Sequence, residues 1–319
     1  MKIAIIGGSG FIGTHLAKTL VGNVEFTIFD IKKSTTFADK TILCDVRDAD
    51  LLKKELVGFD SVILLAAEHK DNIRPVSLYY DVNVQGLQNV LDAMDHNMIH
   101  NIVFTSSVAI YGMNRASPPN EKTEPAPFND YGQSKLDAER LLNKWTAAGG
   151  IKNALILRPT VVFGENNRGN VYNLLRQIHS GKFLMVGNGK NEKSMAYVEN
   201  LVAFINYMLA KEWQGTEVFN YIDKPDLNMN VLADTVFRHL SKRRLPLHVP
   251  YGLGIILGST LDKVSRLVGK EFPLSAIRVK KFCSTTVFDA TKVFAGGFEA
   301  PYSLIQGLEK TLRVDFSND

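Results

Sequence analysis

Lys2-Ile3-Ala4-Ile5-Ile6-Gly7-Gly8-Ser9-Gly10-Phe11-Ile12-Gly13 decides the fold of this chain. Residues 3–6 are a continuous apolar run of strand length, and residues 11–21 place Phe11, Ile12, Leu16 and Leu20 at helical spacing. Between them lies a glycine loop spaced GxxGxxG. Gly7 permits the tight turn, Gly10 lets a pyrophosphate approach the backbone, and Gly13 lets helix and strand pack closely. The N–H groups and the dipole of the helix then hold an anion. Strand, glycine loop and helix in this order predict a dinucleotide site at Gly7, Gly10, Phe11, Ile12 and Gly13.

Residues 24–29 read as the next strand, and Asp30 closes it 17 residues after Gly13. A carboxylate there accepts hydrogen bonds from the ribose hydroxyls and repels a 2′-phosphate, which favours NAD. Lys32 and Lys33 follow closely and keep NADP open. Asp45 and Val46 come after the third strand, 42–43, where the aspartate is either an adenine contact or a plain loop residue. Strands at 62–66, 102–105 and 154–157 alternate with helices at 76–94 and 131–142. Strands apolar on both faces and separated by helices imply a parallel sheet covered on both sides, the Rossmann-type doubly wound α/β architecture. Beyond a breaker-rich loop at Pro118-Pro119 and Pro125-Ala126-Pro127 the pattern loosens. Helices are expected around 198–210, 228–241 and 303–313, with short strands near 184–186, 218–222 and 285–288. This predicts an NAD-binding domain over 1–165, to which 190–225 contributes elements, and a smaller C-terminal substrate-binding lobe over 166–319.

The net charge is +4 without a long Lys/Arg run, so no nucleic-acid partner is expected. The longest basic cluster, Lys242-Arg243-Arg244, reads as a solvated helix end. Cys44 and Cys283 make neither a disulfide framework nor a CxxC pattern, which fits a reducing cytosol and no metal. The apolar run at 253–257 is far below the roughly 20 residues that span a bilayer. The expectation is a cytoplasmic protein with no membrane partner.

Chemistry enters with Tyr131-Gly132-Gln133-Ser134-Lys135. Tyr and Lys at i and i+4 share one helix face. A free tyrosine, with a pKa near 10, is a poor base at neutral pH; an adjacent ammonium favours the phenolate and makes it a usable acid/base. Lys135 can also hold a nicotinamide ribose. Upstream, Phe104-Thr105-Ser106-Ser107 ends a strand at the carboxyl edge of the sheet, where ligands bind in open α/β folds. Ser107, 24 residues before Tyr131, can hydrogen-bond a substrate carbonyl or alcohol.

Together these stretches resemble the extended short-chain dehydrogenase/reductase family, and more narrowly its NAD-dependent epimerases/dehydratases acting on nucleoside-diphosphate sugars. Leu65-Ala66-Ala67 resembles the family's alanine-rich strand end, and Asn83-Val84-Gln85-Gly86 its NVxG helix. Leu157-Arg158-Pro159-Thr160-Val161-Val162-Phe163-Gly164 resembles LRPxxVYG. Gly187-Asn188-Gly189 with Tyr197-Val198-Glu199-Asn200 resembles GxG…YVxD, and Phe288-Asp289-Ala290-Thr291-Lys292 the late FDxxK segment. The resemblance implies that Tyr131 is the acid/base, Lys135 its modulator and Ser107 the substrate's hydroxyl partner. It implies cofactor contacts at Ala66 and Ala67, and a homodimer through helices 78–94 and 131–142.

Departures narrow the chemistry. The family's 4,6-dehydratases carry an Asp-Glu pair just after the serine/threonine position; here Val108 and Ala109 cannot move protons. Well-known UDP-galactose 4-epimerases carry an Asn within the segment matching 158–164, where this chain has Thr160, Val161 and Val162. The usual arginine after GxG stands as Lys193, a charge without a bidentate fork. Asn170, opening a helix at 171–178, and Arg278 are further diphosphate candidates. The resemblance thus leaves a 4-epimerase of UDP-hexose or UDP-N-acetylhexosamine beside a 4-ketoreductase of a nucleotide sugar in surface-polysaccharide synthesis. A non-sugar ketone reductase and a catalytically dead dinucleotide-binding protein are the remaining readings.

Overall fold

The computed structural model describes residues 1–70, 73–112, 116–181, 183–239, 248–268 and 275–316, and of 266–268 the backbone alone. In chain order the elements are β1 (Lys2–Ile6), α1 (Phe11–Leu20), β2 (Glu25–Asp30), β3 (Thr41–Leu43), α2 (Ala49–Glu55), β4 (Ser61–Leu64), α3 (Ser77–Tyr80), α4 (Gly86–His96), β5 (Asn101–Thr105), α5 (Asp130–Ala147), β6 (Asn153–Pro159) and β7 (Val161–Phe163). There follow α6 (Asn170–His179), β8 (Met185–Val186), β9 (Glu192–Tyr197), α7 (Val198–Leu209), β10 (Thr216–Tyr221), β11 (Asp223–Asn228), α8 (Met229–His239), β12 (His248–Val249), α9 (Tyr251–Val268), α10 (Ala276–Cys283), α11 (Thr291–Ala295) and α12 (Leu304–Phe316). The cluster Lys242-Arg243-Arg244 and the last two residues of the helix expected over 228–241 lie outside the described residues.

The described residues divide into two compact units. The first comprises Met1–Val162, Val198–Ile222 and Phe288–Pro301, and the second Phe163–Tyr197, Asp223–Val287 and Tyr302–Asp319. In the first unit seven parallel strands stand in the order β10-β6-β5-β4-β1-β2-β3. Order reverses between β1 and β4, paired at Ile6↔Leu64, so their carboxyl ends frame the crevice where ligands of doubly wound sheets sit. Period-two alternation divides the strand residues between the two faces. Ala4, Ile6, Val62, Leu64, Ile102, Phe104, Ala154 and Ile156 join one buried cluster with side chains of α2, α4 and α5. The fold expected from residues 1–13 is the fold observed.

The spacing at 76–94 predicts one helix. The chain instead runs α3, a π-helical turn over Asp81–Gln85, and α4. The wider turn carries Asn83 inward, where its amide makes three hydrogen bonds that a regular helix surface would not offer.

In the second unit β9 and β11 pair antiparallel, and α6 and α12 pack against α8. No strand forms at 285–288. Thr286 bridges Lys193, exchanging backbone bonds with Glu192 and Ser194. The sequence pattern hides α9 because Gly252, Gly254 and Gly258 interrupt its periodicity. Tertiary packing explains two of them: a Cβ on Gly254 would lie 2.6 Å from Val186 Cγ1, and one on Gly258 2.6 Å from the Ala276 nitrogen of α10. Among the described residues, no helix is long and apolar enough to cross a membrane.

Candidate active site

The glycine loop leaves β1 and turns directly into α1. Gly7 adopts φ +83°, and a Cβ there would lie 2.4 Å from the Ala66 nitrogen, so neither its backbone nor its space admits a side chain. Ala66 thereby borders the loop, and its N–H donates to the Ile6 carbonyl. Gly10 caps α1 without a side-chain cap, and no acidic residue occupies the first turn. The leading N–H groups of α1 therefore lack a side-chain acceptor, which suits a phosphate. Asp30 stands at the end of β2 with one oxygen accepting from the Ser9 N–H (3.0 Å) and the other from the Lys32 N–H (3.1 Å). Those bonds fix the carboxylate beside the loop and leave lone pairs for a diol. The cradle fits a dinucleotide.

Asp45 and Val46 have other engagements. The Asp45 carboxylate takes a bidentate fork from Arg47, 2.6 Å from Nη2 to Oδ2, which holds its pKa below the usual value. Val46 is a core residue against Gly86, and its carbonyl accepts from Asn89.

The catalytic candidates converge for a reason the sequence reading missed. Ser107 caps a short 3-10 turn over Val108–Tyr111, its Oγ accepting from the Ala109 N–H at 3.1 Å. A Cβ on Gly132 would lie 2.7 Å from the Ala109 carbonyl oxygen. The glycine inside YGQSK thus presses the first turn of α5 onto the 3-10 turn, and the Ser107 hydroxyl reaches a hydrogen bond with Tyr131. Asn129 caps α5 by accepting from the Gly132 N–H at 2.9 Å. Asn83 ties the same turn down from outside: its Nδ2 donates to Ser134 Oγ at 2.9 Å and to the Glu68 carbonyl at 3.0 Å.

Lys135 is 2 % exposed. Its Nζ donates to the Thr105 carbonyl at 2.9 Å and lies 4.8 Å from the centre of the Phe104 ring. Burial lowers its pKa to about 7, and the Glu139 charge opposes that fall. Tyr131 departs from the expectation of a lowered phenol: burial of the ring pushes it up, and the Ser107 hydrogen bond only partly offsets this. Removing a phenolate from water costs more here than its neighbours return. Tyr131 therefore rests as a proton-bearing phenol. At the carboxyl end of β5, Ser106 Oγ is buried without a hydrogen-bond partner.

Behind Lys135 stands a buried polar chain that the sequence reading also missed. Arg158 grips Glu139 through two bonds, Nε–Oε1 2.9 Å and Nη2–Oε2 2.6 Å. Its Nη1 donates to the Tyr111 hydroxyl at 2.6 Å, and that hydroxyl donates to Asn220 Oδ1 at 2.7 Å. The available signal was an arginine ending an apolar strand and a glutamate one turn after Lys135. Glu139→Gln leaves a buried guanidinium uncompensated. We expect it to destabilise the protein by about 3–5 kcal/mol, read as a lower denaturant midpoint, with the Glu139→Leu/Arg158→Met double variant recovering most of the loss. An unchanged midpoint for the single variant would show that Arg158 is neutralised by other groups.

The remaining substrate candidates belong to the second unit. Asn170 is the first residue of α6 and exposed. Lys193 Nζ donates to the carbonyls of Lys281 (2.7 Å) and Ser284 (2.6 Å), and burial lowers its pKa to about 8. That lysine ties down the end of α10. Arg278 lies on the same helix and is exposed.

A family model described as the NAD dependent epimerase/dehydratase family matches residues 3–221. A protein of Escherichia coli O157:H7 named N-acetyl-alpha-D-glucosaminyl-diphospho-ditrans,octacis-undecaprenol 4-epimerase is 52% identical over 316 residues, spanning 99% of this chain and 95% of its own. Among solved structures, the UDP-N-acetylglucosamine 4-epimerase of Bacillus cereus superposes with a TM-score of 0.77 at 22% identity, covering 99% of each chain. The UDP-glucose 4-epimerase of Thermus thermophilus, solved with NAD, gives 0.76 at 18% identity, covering 98% of each chain.

Proposed function

The chain belongs to the NAD dependent epimerase/dehydratase family, and from that premise we propose that it is a 4-epimerase of an N-acetylhexosamine carried on a polyprenyl diphosphate. The observation that carries the substrate class is the near full-length 52% identity to the Escherichia coli protein of that name. The site supports it. Ser107 hydrogen-bonds Tyr131, and Lys135, one turn along the same helix, points its Nζ at the carbonyl of Thr105, two residues before Ser107. Lys193, standing where the nucleotide-sugar enzymes usually place an arginine, holds the end of α10 instead. A weaker grip on a nucleotide agrees with a carrier that is not a nucleotide.

In this reading Gly7, Gly10 and the N-terminus of α1 hold the pyrophosphate of NAD, and Asp30 its adenosine ribose. When bound there, NAD would supply reversible two-electron hydride chemistry at sugar C4. Ser107 orients the C4 hydroxyl. Tyr131 acts in its phenolate form, reached by losing its own proton to solvent: it takes the C4 hydroxyl's proton as the keto sugar forms and gives it back when the other face is reduced. Lys135 lends positive charge while the phenolate exists.

Purified without added nucleotide, the protein should release close to one NAD per chain on denaturation. It should interconvert N-acetylglucosamine and N-acetylgalactosamine on polyprenyl diphosphate with no net oxidation of added NADH. An empty protein that consumes NADH stoichiometrically with a 4-keto sugar would replace this reading with the ketoreductase.

A further inference from the structure

The helix α9 packs inside out. Its buried line is glycine, Gly254 and Gly258, seated on Val186 and on the start of α10. Its outward line is aliphatic: Leu253 is 49 % exposed, Ile256 65 %, Leu257 48 % and Val264 38 %. Spacings of three, four and seven place these on one helical stripe. Ile277 of α10, 56 % exposed, adds to the apolar surface of the same unit. A water-facing helix ordinarily shows the reverse arrangement, and contiguous exposed apolar surface marks an interaction site.

The sequence stretch that contains this helix is equally skewed in charge. Residues 240–283 carry nine Lys or Arg and two Asp or Glu, whereas the other 275 residues carry 28 and 31. The entire positive excess of the chain thus falls in this stretch. Of the acids, Asp262 is spent on the fold, its Oδ2 accepting from the Ala276 N–H at 3.0 Å. Lys263 and Lys280 are exposed on α9 and α10. β12, just before the helix, pairs with β8, and Ser275 caps α10 by accepting from the Arg278 N–H.

We infer that the outward face of α9, with the exposed side of α10, is a docking surface for an anionic phospholipid bilayer. An aliphatic stripe bordered by lysines, too short in its apolar run to span, matches a helix that lies in the interface with its apolar side among the acyl chains. Under this inference the chain has a peripheral membrane partner, where the sequence by itself suggests none. The inference rests on the lipid-linked reading of the substrate, because a polyprenyl chain keeps the sugar at a bilayer surface and the enzyme must meet it there.

The test is co-sedimentation of the full chain with vesicles lacking any substrate. Wild-type protein should bind phosphatidylglycerol-containing vesicles at least about tenfold better than pure phosphatidylcholine ones, and lose that binding as salt rises. Ile256→Glu/Leu257→Glu should cut binding to anionic vesicles by about tenfold or more, since each residue loses apolar contact and gains a charge repelled by the surface. Both positions are exposed, so the fold should tolerate them. The double variant should retain wild-type turnover of a short, water-soluble prenyl-diphosphate analogue and be slower on the long-chain substrate in vesicles. Wild-type protein that ignores anionic vesicles yet epimerises both substrates overturns the docking surface and leaves the proposed function standing. Failure to epimerise either lipid-linked substrate removes the proposed function, whatever the vesicles show. A wild-type dimer that the double variant splits, with no vesicle binding, overturns the inference in favour of a second copy of this chain.

Discussion

Tyr131→Phe is expected to lower turnover by about 10²–10⁴-fold, the usual contribution of a positioned acid/base. Only the hydroxyl is lost. The ring keeps its contact with Tyr79, 6.4 Å between centroids, and the cost to stability is limited to one hydrogen bond with Ser107, about 1 kcal/mol. The glycine loop and Asp30 are untouched, so the variant should still be purified with its dinucleotide. Because burial holds the phenol protonated while Lys135 loses its charge above about 7, wild-type activity should rise with pH up to about 7 and then level off. Unchanged turnover in Tyr131→Phe, measured by separating the two epimers after a timed incubation, would remove this residue from the chemistry and favour a binding protein with an idle site.

Lys135→Met is expected to move activity and stability in opposite directions. Turnover should fall by about 10²-fold or more, since the charge proposed to support the phenolate is gone. The folded state should gain. Lys135 is wholly enclosed, its Nζ set against one carbonyl and one aromatic face, and burial lowers its pKa from 10.5 to about 7. Below pH 7 the native protein bears the full cost of holding an ammonium out of water. Between about 7 and 10.5 the unfolded chain binds the extra proton, so the stability contributed by this site rises with pH. Methionine fills a similar volume without that cost, and replacing a buried charge by a packed apolar group commonly stabilises by about 1–4 kcal/mol. The melting-temperature advantage of Lys135→Met should therefore be largest below pH 7 and shrink toward pH 10. A variant that melts below wild type throughout this range would show that the bond to the Thr105 carbonyl outweighs the cost of burial.

Local rules carried the sequence reading where a function depends on the backbone and its nearest neighbours. Gly7 is dictated by a turn that adopts φ +83° and passes 2.4 Å from where Ala66 must lie, so the glycine is visible without knowing what it faces. Asp30 follows because a strand of known length ends beside that loop. Tyr131 and Lys135 share a helix face by the pitch of the helix alone. The same rules faltered where the deciding partners lie far apart along the chain. The π turn before α4 is set by where Asn83 finds its partners, Glu68 and Ser134, which are distant in sequence. The helix α9 was obscured because its glycines answer to Val186 and Ala276 across a packing interface. Lys193 reads as a diphosphate candidate because nothing near it in the sequence shows that the carbonyls of Lys281 and Ser284 hold it.

By itself, then, the sequence determined the parallel doubly wound sheet, the dinucleotide loop and the three residues proposed to do the chemistry, because strand period, glycine geometry and helix pitch are local. The tertiary structure decided the rest. It settled that burial raises Tyr131 and lowers Lys135, that Glu139 and Arg158 stand behind them, and that α9 turns its large side chains outward. Desolvation, ion pairing and surface exposure are sums over neighbours far apart along the chain, and they take values only once the chain has folded.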